Sequence, residues 1–273
     1  MPFVIDIDPV AFTLLGIPVR WYGLTLLVAA AVAIWLARRQ GRRHGIAPEV
    51  ISDAVVWVGV ASLLGGRALY LIQNELGTIA ADPLHALMVW QGGLSFYGGL
   101  ITGLVAIAVF ARRRGMPVLL AADIAAPAAA LGQAIGHFGC LITGDSFGTV
   151  TSVPWAVIYR NPAAMAPQGV PLHPTQLYEA LALGLLFVVL WRARTRLARL
   201  GDGALASAYL FGLAAIRFGL FFLRDETAVL LGLKTAQWIG LGIAVLAVVV
   251  FISARRGACP IQSSSIQLEA SRP

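Results

Sequence analysis

Charged side chains are scarce in this sequence. Only 12% of its 273 residues are charged, 59% are apolar, and the mean hydropathy is +0.81. A soluble domain of similar length carries about 25% charged residues. The composition therefore excludes a water-soluble globule and a disordered chain, and it predicts a polytopic membrane protein.

Lysine and cysteine are also nearly absent. Lys234 is the only lysine, so the positive charge resides almost entirely on arginines, which stay protonated even inside a membrane. The two cysteines exclude a disulfide scaffold. Because Cys140 and Cys259 are predicted on opposite membrane sides, we expect both to be free thiols.

Seven apolar segments are long enough to span a bilayer, which requires about 20 residues. They are predicted near residues 18–38, 52–73, 88–111, 118–142, 175–191, 204–224 and 235–254. The expected fold class is therefore all-α, with seven transmembrane helices. We expect one membrane domain over residues 1–257, a long external loop near residues 143–174, and a flexible cytoplasmic tail over residues 258–273.

The loops of this arrangement separate by charge. If the helices alternate in direction, one side receives most of the 20 basic residues, namely Arg38, Arg39, Arg42, Arg43, Arg112, Arg113, Arg114, Arg192, Arg194, Arg196, Arg199, Arg255, Arg256 and Arg272. The positive-inside rule then predicts an external N-terminus and a cytoplasmic C-terminus. The net charge of +7 is thus explained by topology, and no nucleic-acid partner is expected.

Several polar residues lie where lipid would penalise them. Arg217 and Arg224 are seven residues apart in the sixth segment and are predicted to share a helix face. A guanidinium pair suits a phosphate, although Arg224 could also simply extend to the membrane surface. Arg67 lies inside the second segment, and Glu179 is a natural counter-ion for one of these arginines, either structural or functional.

Glycine-rich motifs occur at the same predicted membrane face. WQGGLSFYGGL (90–100) is either a packing surface or a helix break that exposes the Tyr97 hydroxyl to a polar cavity. GQAIGHFGCLITGDSFG (132–148) combines histidine, cysteine and aspartate, and HPTQLYE (173–179) opens the fifth segment. No metal-ligand spacing or nucleotide-binding motif occurs, so neither a metal nor another cofactor is expected.

Taken in order, these motifs resemble the prolipoprotein diacylglyceryl transferase family. The resemblance rests on DPVAF…VRWYGL, LGGRALY, QGGLSFYGGL, GHFGCLITGDSFG, HPTQLYEA, RFGLFFLRDE and AQWIG. It implies a multi-pass enzyme of the bacterial cytoplasmic (inner) membrane. Such an enzyme transfers the diacylglyceryl group of phosphatidylglycerol to the lipobox cysteine of a prolipoprotein signal peptide, within the lipid bilayer.

The resemblance also implies a site. Tyr97, His137 and Arg217 are the expected catalytic residues, with His173 a weaker candidate for the base. The expected substrate-binding residues are Tyr22, Arg67, Gly98, Gly99, Cys140, Gly144, Asp145, Gly148, His173, Gln176, Tyr178, Glu179, Arg224 and Gln237.

Some positions depart from the family pattern. Tyr97 replaces a histidine of many members, Cys140 a common asparagine, Asp145 a glutamate and Leu213 a tyrosine. His137 replaces an arginine thought to bind the lipid phosphate. A histidine can supply either a cation or a thiol base. A divergent relative that binds lipid or modifies another acceptor is the second hypothesis. A small-solute transporter is the third, and it predicts inverted repeats that the sequence does not display.

Overall fold

Seven long helices make up most of the molecule. The structure is a computed structural model that describes residues 2–14, 16–77 and 93–257. Its helices are α1 (Trp21–Arg42), α2 (Pro48–Asn74), α3 (Phe96–Arg113), α4 (Val118–Thr143), α5 (Thr175–Ala198), α6 (Ala204–Leu220) and α7 (Thr235–Gly257). All seven are long and apolar enough to cross a membrane, which confirms the predicted multi-pass fold. The predicted tail, with Cys259, lies outside the described residues.

The helix ends differ from the predicted ones at a few places. α1 begins at Trp21 rather than residue 18, because Ile17–Arg20 forms strand β3 and pairs with β2 (Val10–Leu14). α3 begins at Phe96, where the Ser95 hydroxyl accepts a bond from a backbone N–H of the first turn. Residues 88–92 of the third predicted segment lie outside the described residues. Hydropathy marks where a chain can be buried, whereas caps and strand pairing decide where a helix starts.

Short strands were not predicted. Besides the β2–β3 hairpin, β1 (Phe3–Ile5) pairs in parallel with β4 (Val157–Tyr159), and this pair joins the N-terminal segment to the long loop before α5. The expectation of an all-α fold therefore holds for the spans and is wrong for their connections. Three-residue strands are too short to produce a periodic pattern, since the signal needs at least four alternating residues.

The bundle core is formed by α4, α5, α6 and α7. Small and branched residues fill it, including Ala130, Leu183, Leu213 and Ala247, each no more than 1% exposed. α1 packs on α4, and α2 packs on α3. The four central helices thus hold the surrounding ones in place.

The arginine-rich ends of the helices meet at one end of the bundle. Arg38 of α1 donates to Ser52 of α2 at 2.7 Å, and Arg114 after α3 pairs with an α2 aspartate at 3.1 Å. The Asp123 carboxylate of α4 accepts bonds from the backbone N–H groups of Gly203 and Ala206, at the start of α6. The opposite end of the bundle carries the motifs singled out above.

Candidate active site

Glu179 is the centre of a buried ionic cluster. It lies in the second turn of α5 and is 1% exposed. Its Oε2 receives a hydrogen bond from His137 Nε2 of α4 at 2.8 Å. Arg224 Nη2 donates to the same carboxylate, 3.1 Å from Oε2 and 3.2 Å from Oε1. The predicted counter-ion role of Glu179 is therefore realised with Arg224.

The two arginines of RFGLFFLRDE do not share one helix face. α6 ends at Leu220, residues Phe221–Leu223 form a 3₁₀ turn, and Arg224 is extended. The expectation of a shared face is wrong because the helix tightens and stops between them. Arg224 instead reaches Glu179 from a backbone bridge to Gly148, and its Nη1 lies 3.8 Å from Glu226.

Arg217 is held by aromatic rings. It lies in the last turn of α6, is 6% exposed, and its guanidinium carbon is 3.6 Å from the ring centroid of Phe96. The ring of Tyr97 is 5.9 Å away, and the Tyr97 hydroxyl donates to the Ala236 carbonyl at 3.2 Å. A cation on an aromatic face is held in position while its hydrogen-bond donors stay available.

Three buried nitrogens of this cluster lack hydrogen-bond partners within the described part of the chain. They are His137 Nδ1, Arg217 Nε and Arg224 Nε. Buried polar atoms are nearly always hydrogen-bonded, and each exception calls for an explanation. These three atoms leave hydrogen-bonding capacity for a polar ligand at this end of the bundle.

The α2–α3 pair brings Arg67 to the same end. Arg67 is 4% exposed, its Nη1 donates to the Gly93 carbonyl at 3.3 Å, and the ring of Tyr70 lies 5.8 Å away. A Cβ on Gly98 would overlap an α2 carbonyl, and a Cβ on Gly99 would lie 3.1 Å from another. These glycines are therefore packing positions, and α3 runs unbroken from Phe96 through both of them.

The end of α4 is shaped by close contacts. A Cβ at Gly139 would overlap Thr25 in the second turn of α1 and would approach the backbone of Tyr22. Cys140 is a buried free thiol one turn after His137. Gly144 ends the helix with a φ of +74°, a left-handed conformation that glycine adopts without strain.

The loop before α5 is tied down by two buried side chains. Gln176 Nε2 donates to the Asp145 carbonyl at 2.6 Å and to the Tyr159 hydroxyl at 3.5 Å. The Tyr159 hydroxyl donates to the Leu141 carbonyl at 2.8 Å, and burial raises its pKa above the ordinary tyrosine value. Tyr159 therefore stays protonated and keeps its donor role. Asp145 is positioned through its backbone carbonyl, which accepts the bond from Gln176.

Three other predicted residues lie near this loop. Gly148 donates its N–H to the His173 carbonyl at 3.1 Å, and a Cβ there would come within 2.8 Å of two backbone oxygens. The His173 ring is 3.3 Å (Nδ1) from the Tyr178 hydroxyl, which accepts from Trp155 Nε1 at 2.7 Å. His173 thus contacts Tyr178, which bonds to Trp155, whereas His137 contacts Glu179.

The start of α7 closes the site. It contributes Gln237, which was predicted, and the preceding Lys234, which was not. Gln237 Nε2 donates to the Phe218 carbonyl at 3.1 Å and is 1% exposed. Lys234 donates to the backbone carbonyls of Phe221, at 2.6 Å, and Arg224. Lys234 could have been selected from the sequence because it is the only lysine in an arginine-rich chain. Phe96, beneath Arg217, was also missed because aromatic residues are common in membrane helices.

Fold and site together define a class of protein. The chain is a multi-pass membrane protein that gathers arginines, a histidine and a glutamate into a buried cluster at one end of its bundle. Among the residues described, no group of three histidine, cysteine, aspartate or glutamate side chains is placed to hold a metal ion.

The chain belongs to the prolipoprotein diacylglyceryl transferase family, whose model matches residues 9–253. A phosphatidylglycerol–prolipoprotein diacylglyceryl transferase of Chromohalobacter salexigens is 38% identical over 238 residues, which cover 87% of this chain and 86% of the relative. A protein of the same name from Sinorhizobium medicae is 35% identical, with coverage of 90% and 89%. One from Solidesulfovibrio magneticus is 35% identical, with coverage of 94% and 97%.

Proposed function

We propose that this chain transfers the diacylglyceryl group of phosphatidylglycerol to the lipobox cysteine thiol of prolipoproteins. The observation that carries the proposal is the buried cluster of Arg217, Arg224, His137 and Glu179, three of whose nitrogens have no hydrogen-bond partner among the described residues. Relatives that bear this name align over most of the chain.

The leaving group of this reaction is a phosphate monoester, so the site must stabilise negative charge. Arg217 supplies a fixed cation for the lipid phosphate, with Arg224 after the same helix and Arg67 on α2 as further cations. Preorganised cations act most strongly in a site that excludes water. Arg217 is supported for this role because its described contacts are with aromatic rings rather than with an acid.

The acceptor thiol must lose its proton before it can attack. His137 takes that proton at Nδ1, since its Nε2 hydrogen is fixed by Glu179. The sulfur then bonds to the glyceryl carbon that carries the phosphate, the carbon–oxygen bond breaks, and glycerol phosphate leaves with the bonding electrons. Tyr97 is the weaker candidate for the base because its hydroxyl donates to Ala236.

The remaining predicted residues shape the site. Gly144, Asp145, Gly148, Gln176 and Tyr178 position the loop over the cluster, and Gln237 fixes α7 beside it. Tyr22, Gly98, Gly99 and Cys140 line or pack its walls, and His173 completes the loop contact with Tyr178.

The positive-inside rule supports an external N-terminus and a cytoplasmic C-terminus for residues 1–257, treated as one membrane domain. The active site then lies at the outer face of the bacterial cytoplasmic membrane, where a lipobox peptide arrives. The loop at 143–174 is external in this orientation.

A transfer assay tests the function. The purified chain in phosphatidylglycerol vesicles, labelled in the glyceryl group adjacent to the acyl chains, is mixed with a lipobox peptide. We expect label on the peptide and release of glycerol phosphate. Absence of transfer from vesicles that support a relative's activity would refute the proposal and favour a divergent lipid-binding protein.

Two variants locate the activity. Arg217→Ala is expected to abolish transfer. Arg113→Ala removes an equal charge from the last turn of α3, at the opposite end of the bundle, and is expected to leave transfer unchanged. If transfer survives both Arg217→Ala and His137→Ala, the site assignment is wrong. Rescue of a transferase-depleted bacterial strain provides the corresponding test in cells.

A further inference from the structure

Arginines surround one tryptophan at the end of the bundle opposite the proposed active site. The guanidinium carbons of Arg194, Arg43 and Arg39 lie 4.3, 5.8 and 6.0 Å from the ring centroid of Trp191. Arg39 and Arg43 come from the end of α1, and Trp191 and Arg194 come from the last turns of α5. These four residues form the arginine–tryptophan cluster.

The cluster concentrates positive charge without a matching acid. Across residues 2–14, 16–77 and 93–257, no ion pair joins an acid to any of its three arginines. Of the acids at this end, Asp53 pairs with Arg114 and the Asp123 carboxylate accepts two backbone N–H bonds. Glu49 and Asp202 form no described ion pair with the cluster. Cation–π contact and the α1 and α5 C-terminal dipoles attract each arginine but do not remove the repulsion among them.

One donor of the cluster is left open. Arg194 Nη1 donates to the Trp191 carbonyl, whereas Arg194 Nε is buried without a described partner. Arg39 and Arg43 are exposed at the surface of the bundle. An anion placed beside Trp191 would therefore meet donors from two helices that are far apart in sequence.

The surroundings indicate which anion fits. Guanidinium groups match the oxygens of a phosphate. Tryptophan prefers the depth of the lipid headgroups, and the neighbouring Phe187 ring, 5.9 Å from Trp191, supplies apolar surface toward the membrane interior. We propose that the arginine–tryptophan cluster binds the phosphate of an anionic phospholipid from the leaflet at this end of the bundle. Basic pockets between transmembrane helices are known to take such headgroups.

The test compares an anionic with a zwitterionic headgroup on identical acyl chains. The full chain in detergent is heated with phosphatidylserine or phosphatidylcholine of identical acyl chains. Phosphatidylserine is chosen because its headgroup lacks the glycerol of the proposed donor. We expect the wild-type unfolding temperature to rise more with phosphatidylserine, and native mass spectrometry to retain this lipid preferentially.

A matched pair of variants separates a site from bulk charge. The triple variant Arg39→Gln/Arg43→Gln/Arg194→Gln should lose the headgroup preference. Arg192→Gln/Arg196→Gln/Arg199→Gln removes the same number of charges from the same end of the bundle and should keep the preference. Arg43→Gln alone is expected to weaken the preference for phosphatidylserine. This single variant replaces the triple variant in the test if the triple variant does not fold.

Three results would overturn or redirect the proposal of a lipid site. Equal loss of the preference in both triple variants, or no preference in wild type, overturns the proposal. Inorganic phosphate is the further arm: if it raises the unfolding temperature as much as phosphatidylserine, the site binds free phosphate and the lipid assignment is wrong. Transfer activity is expected to persist in the cluster variant, so failure here is distinct from failure of the proposed function.

Discussion

Replacement of His137 by arginine separates the two roles that this position could have. The histidine donates from Nε2 to Glu179 at 2.8 Å, and its Nδ1 is free of described partners. Arginine can still donate to the carboxylate, but it is not deprotonated in proteins and cannot take the thiol proton. His137→Arg therefore removes the proposed base while retaining a hydrogen-bond donor to Glu179.

The expected size of the effect follows from the role of the base. General base catalysis contributes about 10²–10⁴-fold, which corresponds to about 2.7–5.4 kcal/mol of barrier. A hydrogen bond to a charged group contributes about 1.5–3 kcal/mol to stability, and arginine retains that bond. We expect kcat for His137→Arg to fall by about 100-fold or more while the unfolding temperature stays within a few degrees of wild type.

The assay measures initial rates of glyceryl transfer to a lipobox peptide at saturating phosphatidylglycerol, together with thermal unfolding. His137→Gln removes the base and places a shorter, uncharged amide beside Glu179, so it should lose activity. Phe138→Leu changes the neighbouring, 45% exposed residue of α4 and should resemble wild type. A His137→Arg enzyme as fast as wild type would refute the reasoning and show that position 137 acts as a cation.

Three other substitutions probe the same end of the bundle. Glu179→Gln leaves Arg224 without its buried carboxylate partner, so we expect a loss of about 3–5 kcal/mol in unfolding free energy, measured by denaturation in detergent. Arg217→Lys should lower transfer by about 10- to 100-fold, with wild-type stability, because a lysine cannot stack flat on Phe96 or donate in a fork. Gly148→Ala should cost about 1–3 kcal/mol, visible as faster proteolysis of the loop, because the added Cβ meets a carbonyl oxygen at 2.7 Å.

Hydropathy and arginine placement predicted the seven spans because both follow from the cost of burying charge in lipid. The Glu179–Arg224 pair was also predictable, since two opposite charges in apolar segments require each other. The break after Leu220 was not, because it depends on a backbone bridge to Gly148, far away in sequence. The contact of His137 with Glu179 likewise depends on how α4 meets α5.

The parallel pairing of β1 with β4 has a consequence for the order in which the chain assembles. Phe3 pairs with Val157, so the first strand has to wait for a partner synthesised about 150 residues later. At about 5–20 residues per second this delay is roughly 8–30 s, and α1 to α4 emerge during it. The loop over the cluster therefore closes only after half of the bundle has been made. Changes in the first few residues therefore act on a late step, the joining of the N-terminal segment to this loop.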